Sequence, residues 1–389
     1  MEQYVKGTPA DAQDIVDFAD FIFSKDAAPH DFSQMLPKLY GDGADTQQYH
    51  YLVKEDGRIK AMVCVLPVHL NVAGIELKLA CIGTVSVHPR ARGKGYMKKL
   101  MSMAIEDIQS EGYSFSLLGG QRQRYEYFGY EPAGIKLNFT LTEDNIRHKY
   151  GGLDASGISF EPLSSNSSQF DDAHQLYEQG IVSGARSKEQ FASILRSWHI
   201  KPLVILHHHK FVGYVAISKD GGNVHEIELV DPALLPIVCK ALIAYKKLSV
   251  LHFTVPAYDR DKISLLGDAS EFYSTSYDHN YMILDYALVI EAFMKCKARN
   301  VKLQDGRFVI GIEGSDVVEI VVQDNQVVVN KLTEGAGIQA DLWLSKREAM
   351  SGIFSSLSEF ANWNSLSRNT NIPQGWFPLP LYVPPVDGC

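Results

Sequence analysis

The spacing of apolar residues predicts two amphipathic helices in the first part of the chain. The first begins at Thr8-Pro9-Ala10-Asp11, where an N-cap residue precedes a proline, and its apolar face comprises Ile15, Phe18, Ala19, Ile22 and Phe23. The second ends at Gly112, and its apolar residues recur at helical spacing at Met97, Leu100, Met101, Ala104, Ile105 and Ile108.

Strands are predicted between and after these helices. Apolar, β-branched runs at 49–54 and 58–68 flank the turn Glu55-Asp56-Gly57, which is typical of a hairpin. Further strands are predicted at 75–79, 81–87 and 115–118. The pattern therefore gives a helix, an antiparallel meander, a strand, a loop, a second helix and a strand.

The remainder of the chain divides into two further patterns. Between residues 149 and 285, helices are predicted near 170–179 and 187–198 and after Asp231-Pro232, with strands at 203–207, 211–218, 224–230 and 250–255. Residues 286–389 predict a helix at 289–297, strands at 306–313, 317–323, 326–330 and 340–344, a helix opening at Ser345 and a proline-rich, non-helical tail from Pro373. We therefore predict mixed α/β domains at 1–148 and 149–285 and an α+β domain at 286–389.

Length and charge narrow the class of protein. A chain of 389 residues exceeds the size that one hydrophobic core usually supports, and 46% hydrophobic with 21% charged residues is typical of globular proteins. The formal net charge of -9 disfavours a nucleic-acid surface and favours cationic small molecules as partners.

Membrane and metal functions find little support in the sequence. It has no apolar run of about 18 residues and no basic segment followed by an apolar one near its N-terminus, so we expect a cytoplasmic protein without a membrane partner. No closely spaced cysteine pair suggests a metal or redox site, and we expect mostly buried thiols at Cys64, Cys81, Cys239, Cys296 and Cys389.

The segment with the most chemistry is residues 85–96, VSVHPRARGKGY. It predicts a strand, a turn and a loop of glycines and cations that opens a helix, an arrangement suited to a pyrophosphate. Arg90, Arg92 and Lys94 would add positive charge, and the strand end at 85–87 would hydrogen-bond an extended ligand arm. The alternative interpretation is a solvated helix cap.

The spacing of this loop differs from dinucleotide and nucleotide-triphosphate motifs. Arg90-x-x-Gly93-x-Gly95 after a strand ending in valine resembles the acetyl-CoA loop of the GNAT superfamily of N-acetyltransferases. The resemblance continues in SLLGG at 116–120 and YEYFGYEPA at 125–133.

The three-part layout resembles the enhanced-intracellular-survival family of acetyltransferases. This resemblance implies two tandem GNAT folds, the second degenerate, followed by a domain similar to sterol carrier proteins. In the second copy the position of the loop reads VDPAL at 230–234, with no glycine or arginine. We therefore expect the cofactor in the first copy only, and the family resemblance implies a homo-oligomer, namely a hexamer.

The resemblance implies two catalytic residues. Tyr125 matches the general acid that protonates the departing CoA thiolate, whereas core packing is the alternative for Tyr125 and the preferred interpretation for Tyr127 and Tyr130. The main-chain carboxylate of Cys389 matches a C-terminal group that acts as a base or orients the amine. The family commonly ends in an aromatic residue, whereas this chain ends in VDGC.

The remaining site predictions concern ligand binding. Acetyl-CoA is expected to bind Val85, Ser86, Val87, Arg90, Arg92, Gly93, Lys94, Gly95, Tyr96, Met97, Lys98, Gly120 and Gln121. Asp26 and Trp198 are candidates for substrate binding, with a solvated carboxylate and a core indole as the respective alternatives. The adjacent histidines at 207–209 point to alternate sides of a strand, and no metal is expected.

Together these features predict an acetyl-CoA-dependent N-acetyltransferase. A neutral primary amine would attack the thioester directly, with the Val87 amide polarising the thioester oxygen. Aminoglycosides lead by resemblance, and polyamines also fit an acidic site. The alternatives are a protein lysine acetyltransferase and a non-catalytic CoA- or lipid-binding protein.

Overall fold

The computed structural model describes residues 2–25, 29–332, 339–360, 365–366, 368–369 and 371–389, those at 359 and 360 without their side chains. The described residues form two compact units. The first contains the chain up to Gly134, Tyr277–Leu381 and Gly388–Cys389, and the second contains Ile135–Ser276 and Tyr382–Asp387. The three-domain division made from the sequence rests on repeated folding patterns and stays a prediction.

The strands of the described chain are numbered in sequence order. They are β1 (Glu2–Lys6), β2 (His50–Glu55), β3 (Arg58–Val72), β4 (Ile75–Val87), β5 (Phe115–Leu118), β6 (Glu131–Ala133), β7 (Lys136–Thr142), β8 (Ile158–Pro162), β9 (Val182–Gly184), β10 (Lys201–His207), β11 (Lys210–Ile217), β12 (Asn223–Leu229), β13 (Val250–Pro256), β14 (Phe272–Ser276), β15 (His279–Ile283), β16 (Gly306–Ile312), β17 (Val317–Gln323), β18 (Gln326–Leu332) and β19 (Leu342–Leu344).

The α-helices are numbered in the same way. They are α1 (Ala12–Phe23), α2 (Phe32–Met35), α3 (Pro37–Tyr40), α4 (Tyr96–Ser110), α5 (Arg122–Tyr125), α6 (Glu143–Tyr150), α7 (Phe170–Glu178), α8 (Lys188–Leu195), α9 (Leu235–Lys246), α10 (Arg260–Ala269), α11 (Tyr286–Ala298), α12 (Lys346–Phe354) and α13 (Leu357–Phe360).

The main sheet of the first unit has the order β1-β2-β3-β4-β5-β15-β6, and along this described order β4 and β5 are parallel while the other neighbours are antiparallel. Asp56 and Gly57 have φ values of 49° and 74°, so the predicted hairpin turn between β2 and β3 is confirmed. A two-residue turn with positive φ at both residues matches the right-handed twist of the two strands that it joins.

The strands predicted at 75–79 and 81–87 are one strand, β4. The interpretation of two strands was wrong because β3 pairs with β4 along its whole length, from Val72–Ile75 to Ala61–Val87. The register shifts between Met62 and Cys64, and Thr84 in β4 adopts a φ of 43° at this irregularity. The shift bends the strand just before the candidate cofactor loop.

Helices cover both faces of this sheet. The apolar side of α4, including Leu100, packs on Ala61 and Ile82, whereas α1–α3 pack on the opposite side against Met62 and Cys64. The period-two alternation of β3 therefore supplies two cores, as expected for a strand buried on both faces.

The first unit also contains residues from the last part of the chain. Strand β15 inserts between β5 and β6, and a separate sheet has the order β18-β17-β16-β19. Ser345 caps α12 in a box with Glu348, which confirms the predicted helix start. The described tail from Pro373 contains no helix, and Trp376 is fully buried with its indole N–H donating to the Gln304 carbonyl at 2.9 Å.

The second unit is built on a sheet of order β14-β7-β13-β12-β11-β10-β8. The helices predicted near 170–179 and after Asp231-Pro232 are confirmed, as are the strands β10–β13. Strands β12 and β13 pair in parallel only at Asn223 and Val224, and β12 then continues to Leu229. The predicted mixed α/β fold with several sheets is confirmed.

Candidate active site

The sheet of the first unit opens between β4 and β5. These strands pair only from Leu79–Phe115 to Ile82–Leu118, while β4 continues to Val87 with its other edge on β3. In the described chain, residues 83–87 thus have no strand partner on the β5 side. Their exposed edge can hydrogen-bond an extended ligand, as in strand addition.

The glycine loop follows this opening directly. Gly93 and Gly95 have φ values of 83° and 79°, which favour glycine, and Gly95 is the N-cap of α4. The first helical hydrogen bond runs from the Lys99 N–H to the Gly95 carbonyl at 3.1 Å. Amides before Lys99 therefore lack acceptors within the helix and face the loop, as at other anion-binding helix ends.

The cations of the loop differ in their contacts. Within the described part of the chain neither Arg90 nor Arg92 forms an ion pair, whereas the Lys94 Nζ lies 2.6 Å from a Glu55 oxygen. That hydrogen bond holds the pKa of the Glu55 carboxyl below its usual range. One of the three predicted phosphate cations is thus already neutralised.

The first turn of α4 is largely occupied by protein contacts. The Tyr96 ring is buried, and its hydroxyl lies within hydrogen-bond distance of the carboxylates of Glu55 and, at 2.8 Å, Glu2. Lys98 stands 4.4 Å above the Tyr127 ring, and Met97 packs on the core beneath α4. At Tyr96 a phosphate would therefore bind the backbone amide and not the side chain.

Tyr125 ends the short helix α5, with Gln121 as its N-cap, and is 7% exposed. Burial raises the pKa of its phenol, with a smaller opposing effect from Arg124. Gly120 makes room for the ring, because a Cβ there would lie 2.8 Å from the Tyr125 Cε2 atom. Tyr125 is thus a protonated phenol held at the end of β5.

The neighbouring tyrosines divide between core and surface. Tyr130 is fully buried, and its hydroxyl lies 2.7 Å from the Ser116 Oγ, which confirms the core interpretation. For Tyr127 that interpretation was wrong, since its side chain is 66% exposed beneath Lys98. The chain turns at Gly129, which has a φ of 90°, so helical spacing does not carry through this segment.

The C-terminus lies on β4. The Cys389 N–H donates to the Cys81 Sγ at 3.0 Å, and the Cys389 thiol donates to the Cys81 carbonyl at 3.1 Å. Lys38 donates to the Gly388 carbonyl. A hydrogen bond with the Cys64 thiol, together with burial, raises the pKa of the Cys389 thiol well above its usual range, so the ionised group at this end is the carboxylate.

The predicted substrate residues are placed differently. Asp26 lies outside the described residues. Trp198 belongs to the second unit, is 41% exposed and has a φ of 62°, so the interpretation as a core indole was wrong. Helix α8 ends at Leu195, before the helical pattern would have turned Trp198 inwards. Its assignment to substrate binding stays a prediction.

The three adjacent histidines do not alternate along one strand, so that prediction was wrong. His208 and His209 form the turn between β10 and β11 with φ values of 47° and 64°. Among the residues that the structure describes, no group of three or more potential metal ligands is gathered in one place. None of the described helices is long and apolar enough to cross a membrane.

Sequence reasoning missed one cluster on β15. The buried Asp278 carboxylate lies 2.8 Å from the His279 Nδ1 atom and accepts a hydrogen bond from the Tyr281 hydroxyl at 2.5 Å. The next residue, Asn280, donates to the Gly120 carbonyl at 3.1 Å. No local motif marks these residues, because β15 joins β5 from a distant part of the chain.

Comparison with known families identifies the N-terminal part. Residues 3–133 match the family described as an acetyltransferase (GNAT) domain. This match confirms the prediction of an acyl-CoA-dependent N-acetyltransferase of GNAT type, a domain that binds acetyl-CoA. A comparison with curated proteins finds no match.

Solved structures share the fold at low sequence identity. A probable N-acyltransferase from Enterococcus faecalis V583 has a TM-score of 0.64 and 14% identity, with 89% of this chain and 88% of that chain covered. A GCN5-related N-acetyltransferase from Kribbella flavida has a TM-score of 0.63 and 15% identity, with 90% of this chain and 88% of that chain covered. Eis1 from Mycobacterium abscessus has a TM-score of 0.58 and 14% identity, with 90% of this chain and 88% of that chain covered.

Proposed function

We propose that this protein transfers the acetyl group of acetyl-CoA to a primary amine of a small cationic acceptor, such as an aminoglycoside-like compound or a polyamine. The observation that carries the proposal is the opening between β4 and β5 beside the Gly93–Gly95 loop. Tyr125 and the C-terminal carboxylate both belong to the unit that contains this opening.

The opening and the loop suit different parts of acetyl-CoA. The amide-bearing arm would extend along residues 85–87, whose edge on the β5 side pairs with none of the described strands. The pyrophosphate would lie on the amides of the glycine loop and the first turn of α4, with Arg90 and Arg92 adding charge. Binding of this kind places the thioester at the widened end of β4.

The reaction proceeds by direct attack. The amine nitrogen forms a bond to the acetyl carbon while the Val87 amide stabilises the developing charge on oxygen. The C–S bond then breaks, and Tyr125 donates its proton to the CoA thiolate. A phenol whose pKa is raised by burial stays protonated at neutral pH and is available for this step.

The Cys389 carboxylate would attract and orient the acceptor. An α-carboxyl has an ordinary pKa of about 3.5 and is therefore negative at neutral pH but only weakly basic. Its negative charge and the formal net charge of -9 both favour a cationic amine over a neutral one.

We also assign the architecture by resemblance. The domain at 149–285 is a degenerate GNAT copy, since β12 and β13 pair briefly in parallel as β4 and β5 do, and VDPAL follows β12 in place of the glycine loop. The domain 286–389 is assigned as sterol-carrier-like, and the assembly as a homo-oligomer, by the same family resemblance. Equilibrium sedimentation of the full chain tests the assembly.

The activity is tested by CoA release from acetyl-CoA across a panel of polyamines, aminoglycosides and lysine peptides. Tyr125→Phe is expected to lower kcat by about 10²- to 10⁴-fold, the usual contribution of general acid catalysis. Tyr127→Phe is the matched control, because it removes an exposed hydroxyl from the same segment. Binding of acetyl-CoA, measured by calorimetry, is expected to be equal in all three proteins.

Each contrary outcome has a distinct meaning. No binding at millimolar CoA would contradict the enzyme proposal, and binding without turnover on any amine would indicate a CoA-binding regulator. A preference for lysine peptides over small amines would indicate a protein acetyltransferase. Full activity of Tyr125→Phe at every pH would contradict the acid assignment alone.

A further inference from the structure

The buried Asp278 carboxylate lies beside the imidazole of His279, the first residue of β15. The Asp278 side chain is fully buried, and the Tyr281 hydroxyl and the His279 Nδ1 atom both lie at its Oδ2 atom, at 2.5 and 2.8 Å. Gly134 allows this packing, since a Cβ there would lie 2.8 Å from the Asp278 Cβ. The His279 side chain remains 23% exposed, so part of the ring is accessible to solvent.

The position of His279 follows from the strand register. Ile82 of β4, Leu118 of β5 and Asn280 of β15 form one row across the sheet. This row is the last in which β4 and β5 are paired. His279 lies immediately beyond it on β15, and Gly83, against which Cys389 packs, lies immediately beyond it on β4.

The same register assigns each group to a face of the sheet. Cys81, Leu117 and Tyr281 form the preceding row, and alternation places His279 and Gly83 on the face of that row. Tyr125 clusters with Ile82 and Leu118, whose row faces the opposite side. The imidazole and the C-terminus therefore share one side of the opening, while the phenol lies on the other.

We propose that His279 is the general base of the acetyl transfer, oriented by Asp278, an inference that rests on the proposed function. Attack by the amine forms the N–C bond and leaves a positive charge on nitrogen, and the His279 Nε2 atom takes one proton from it. The C–S bond then breaks, and the thiolate takes the proton of Tyr125. His279 and Tyr125 return to their starting states by proton exchange with water.

The chemistry of the imidazole suits this role better than that of the carboxylate. A proton on the His279 Nδ1, 2.8 Å from the Asp278 carboxylate, leaves the lone pair on Nε2. The ordinary pKa of histidine, about 6.5, lies some three units above that of an α-carboxyl. The Cys389 carboxylate then orients the amine that His279 deprotonates. Asp278 is the positioning residue.

Other titratable groups on the neighbouring strands are already engaged. Glu131 on β6 is paired with Arg122 at 2.9 Å. The Cys81 thiol on β4 has a pKa raised first by its hydrogen bond with Cys389 and by burial, with a small opposing effect from the His279 imidazole.

The test is the pH profile of kcat/KM with a weakly basic, fluorinated analogue of the best acceptor, which stays neutral across the range scanned. The full-length wild type is expected to show a limb that rises with pH as its general base loses a proton. His279→Gln should lose this limb and about 10²- to 10⁴-fold in kcat/KM while binding acetyl-CoA normally by calorimetry. Free imidazole should partly restore the activity of His279→Ala.

Two further variants separate catalysis from folding. His148→Gln changes an exposed histidine in α6 and should match the wild type. Tyr281→Phe keeps the imidazole but removes one donor from Asp278, so the carboxylate stabilises the imidazolium more strongly and the limb should move to higher pH. Circular dichroism checks that each variant is folded.

Several results would contradict the assignment of His279 as the general base. If His279→Gln keeps the wild-type limb, or if the limb is lost only when Cys389 is deleted, His279 is not the base although the enzyme proposal stands. If the wild type neither binds CoA nor releases it, both proposals fail. A loss in His279→Gln that is confined to acetyl-CoA affinity, without rescue by imidazole, would also overturn the assignment.

Discussion

The carboxyl carbon of Cys389 packs directly on Gly83, at the first position of β4 beyond its pairing with β5. A Cβ at Gly83 would lie 2.9 Å from that carbon and 2.6 Å from the Cys389 Sγ atom, closer than side chains approach. The absence of a side chain at Gly83 is therefore what admits the C-terminus to the sheet.

Gly83→Ala is expected to displace the C-terminus and to lower kcat/KM for cationic acceptors about tenfold, because the added methyl overlaps the carboxyl group. Overpacking of this kind costs about 1–3 kcal/mol. Acetyl-CoA affinity should change little. The matched control is Gly267→Ala in α10, where the nearest atom is 3.7 Å away. Equal kinetics in the two variants would argue against a role for the C-terminal carboxylate.

Glu55→Gln is expected to tighten acetyl-CoA binding about two- to fivefold in calorimetry. The change releases Lys94 from its exposed ion pair and removes a negative charge beside the loop, and exposed pairs of this kind have small effects. Glu76→Gln makes the same change in net charge at an exposed carboxylate bonded to Asn71. A similar gain in both variants would indicate a general charge effect and not a local one.

His50 is expected to make the protein less stable as pH falls. Burial lowers its pKa to about 4, and its ring nitrogens lie 3.0 Å from the Thr46 carbonyl and 3.1 Å from the Tyr40 hydroxyl. The unfolded chain takes up the proton near pH 6.5 and the folded chain only near pH 4, so roughly 3 kcal/mol is lost across this window.

Urea unfolding of the wild type and of His50→Asn measures this effect. The free energy of unfolding of the wild type should fall more steeply between about pH 6.5 and 4, since only the wild type has this histidine. Parallel curves for the two proteins would mean that His50 is not a neutral buried group.

Arg186 is expected to be the most costly charge to remove in the second unit. It is 1% exposed and pairs with Asp387 at 2.7 Å and with Glu226 at 2.8 Å. Arg186→Met leaves both carboxylates buried without their cation, which costs about 3–5 kcal/mol in the free energy of unfolding. Arg147→Met, at an exposed pair with Asp144, should cost less than about 1 kcal/mol. Comparable losses in urea titrations would contradict this reading.

The sequence alone determined the features that depend on neighbouring residues. The glycines at 93 and 95 are required by local backbone angles, and the helix that follows shows its apolar spacing in the sequence. The turn at Asp56-Gly57 and the cap at Ser345 are local in the same sense. The loop, the helix and the enzyme class could therefore be predicted, because each signal lies within a few consecutive residues.

Only the tertiary structure decided which distant residues lie beside β4 and β5. Cys389 contacts Cys81 across 308 positions of sequence, and β15 brings His279 to the end of β5 through backbone pairing that any sequence of suitable pattern could make. The tertiary structure also decided that Tyr127 is exposed and Tyr130 is buried, although both belong to one sequence motif. Strand pairing and side-chain burial depend on the surroundings that the whole chain creates, and no local pattern encodes them.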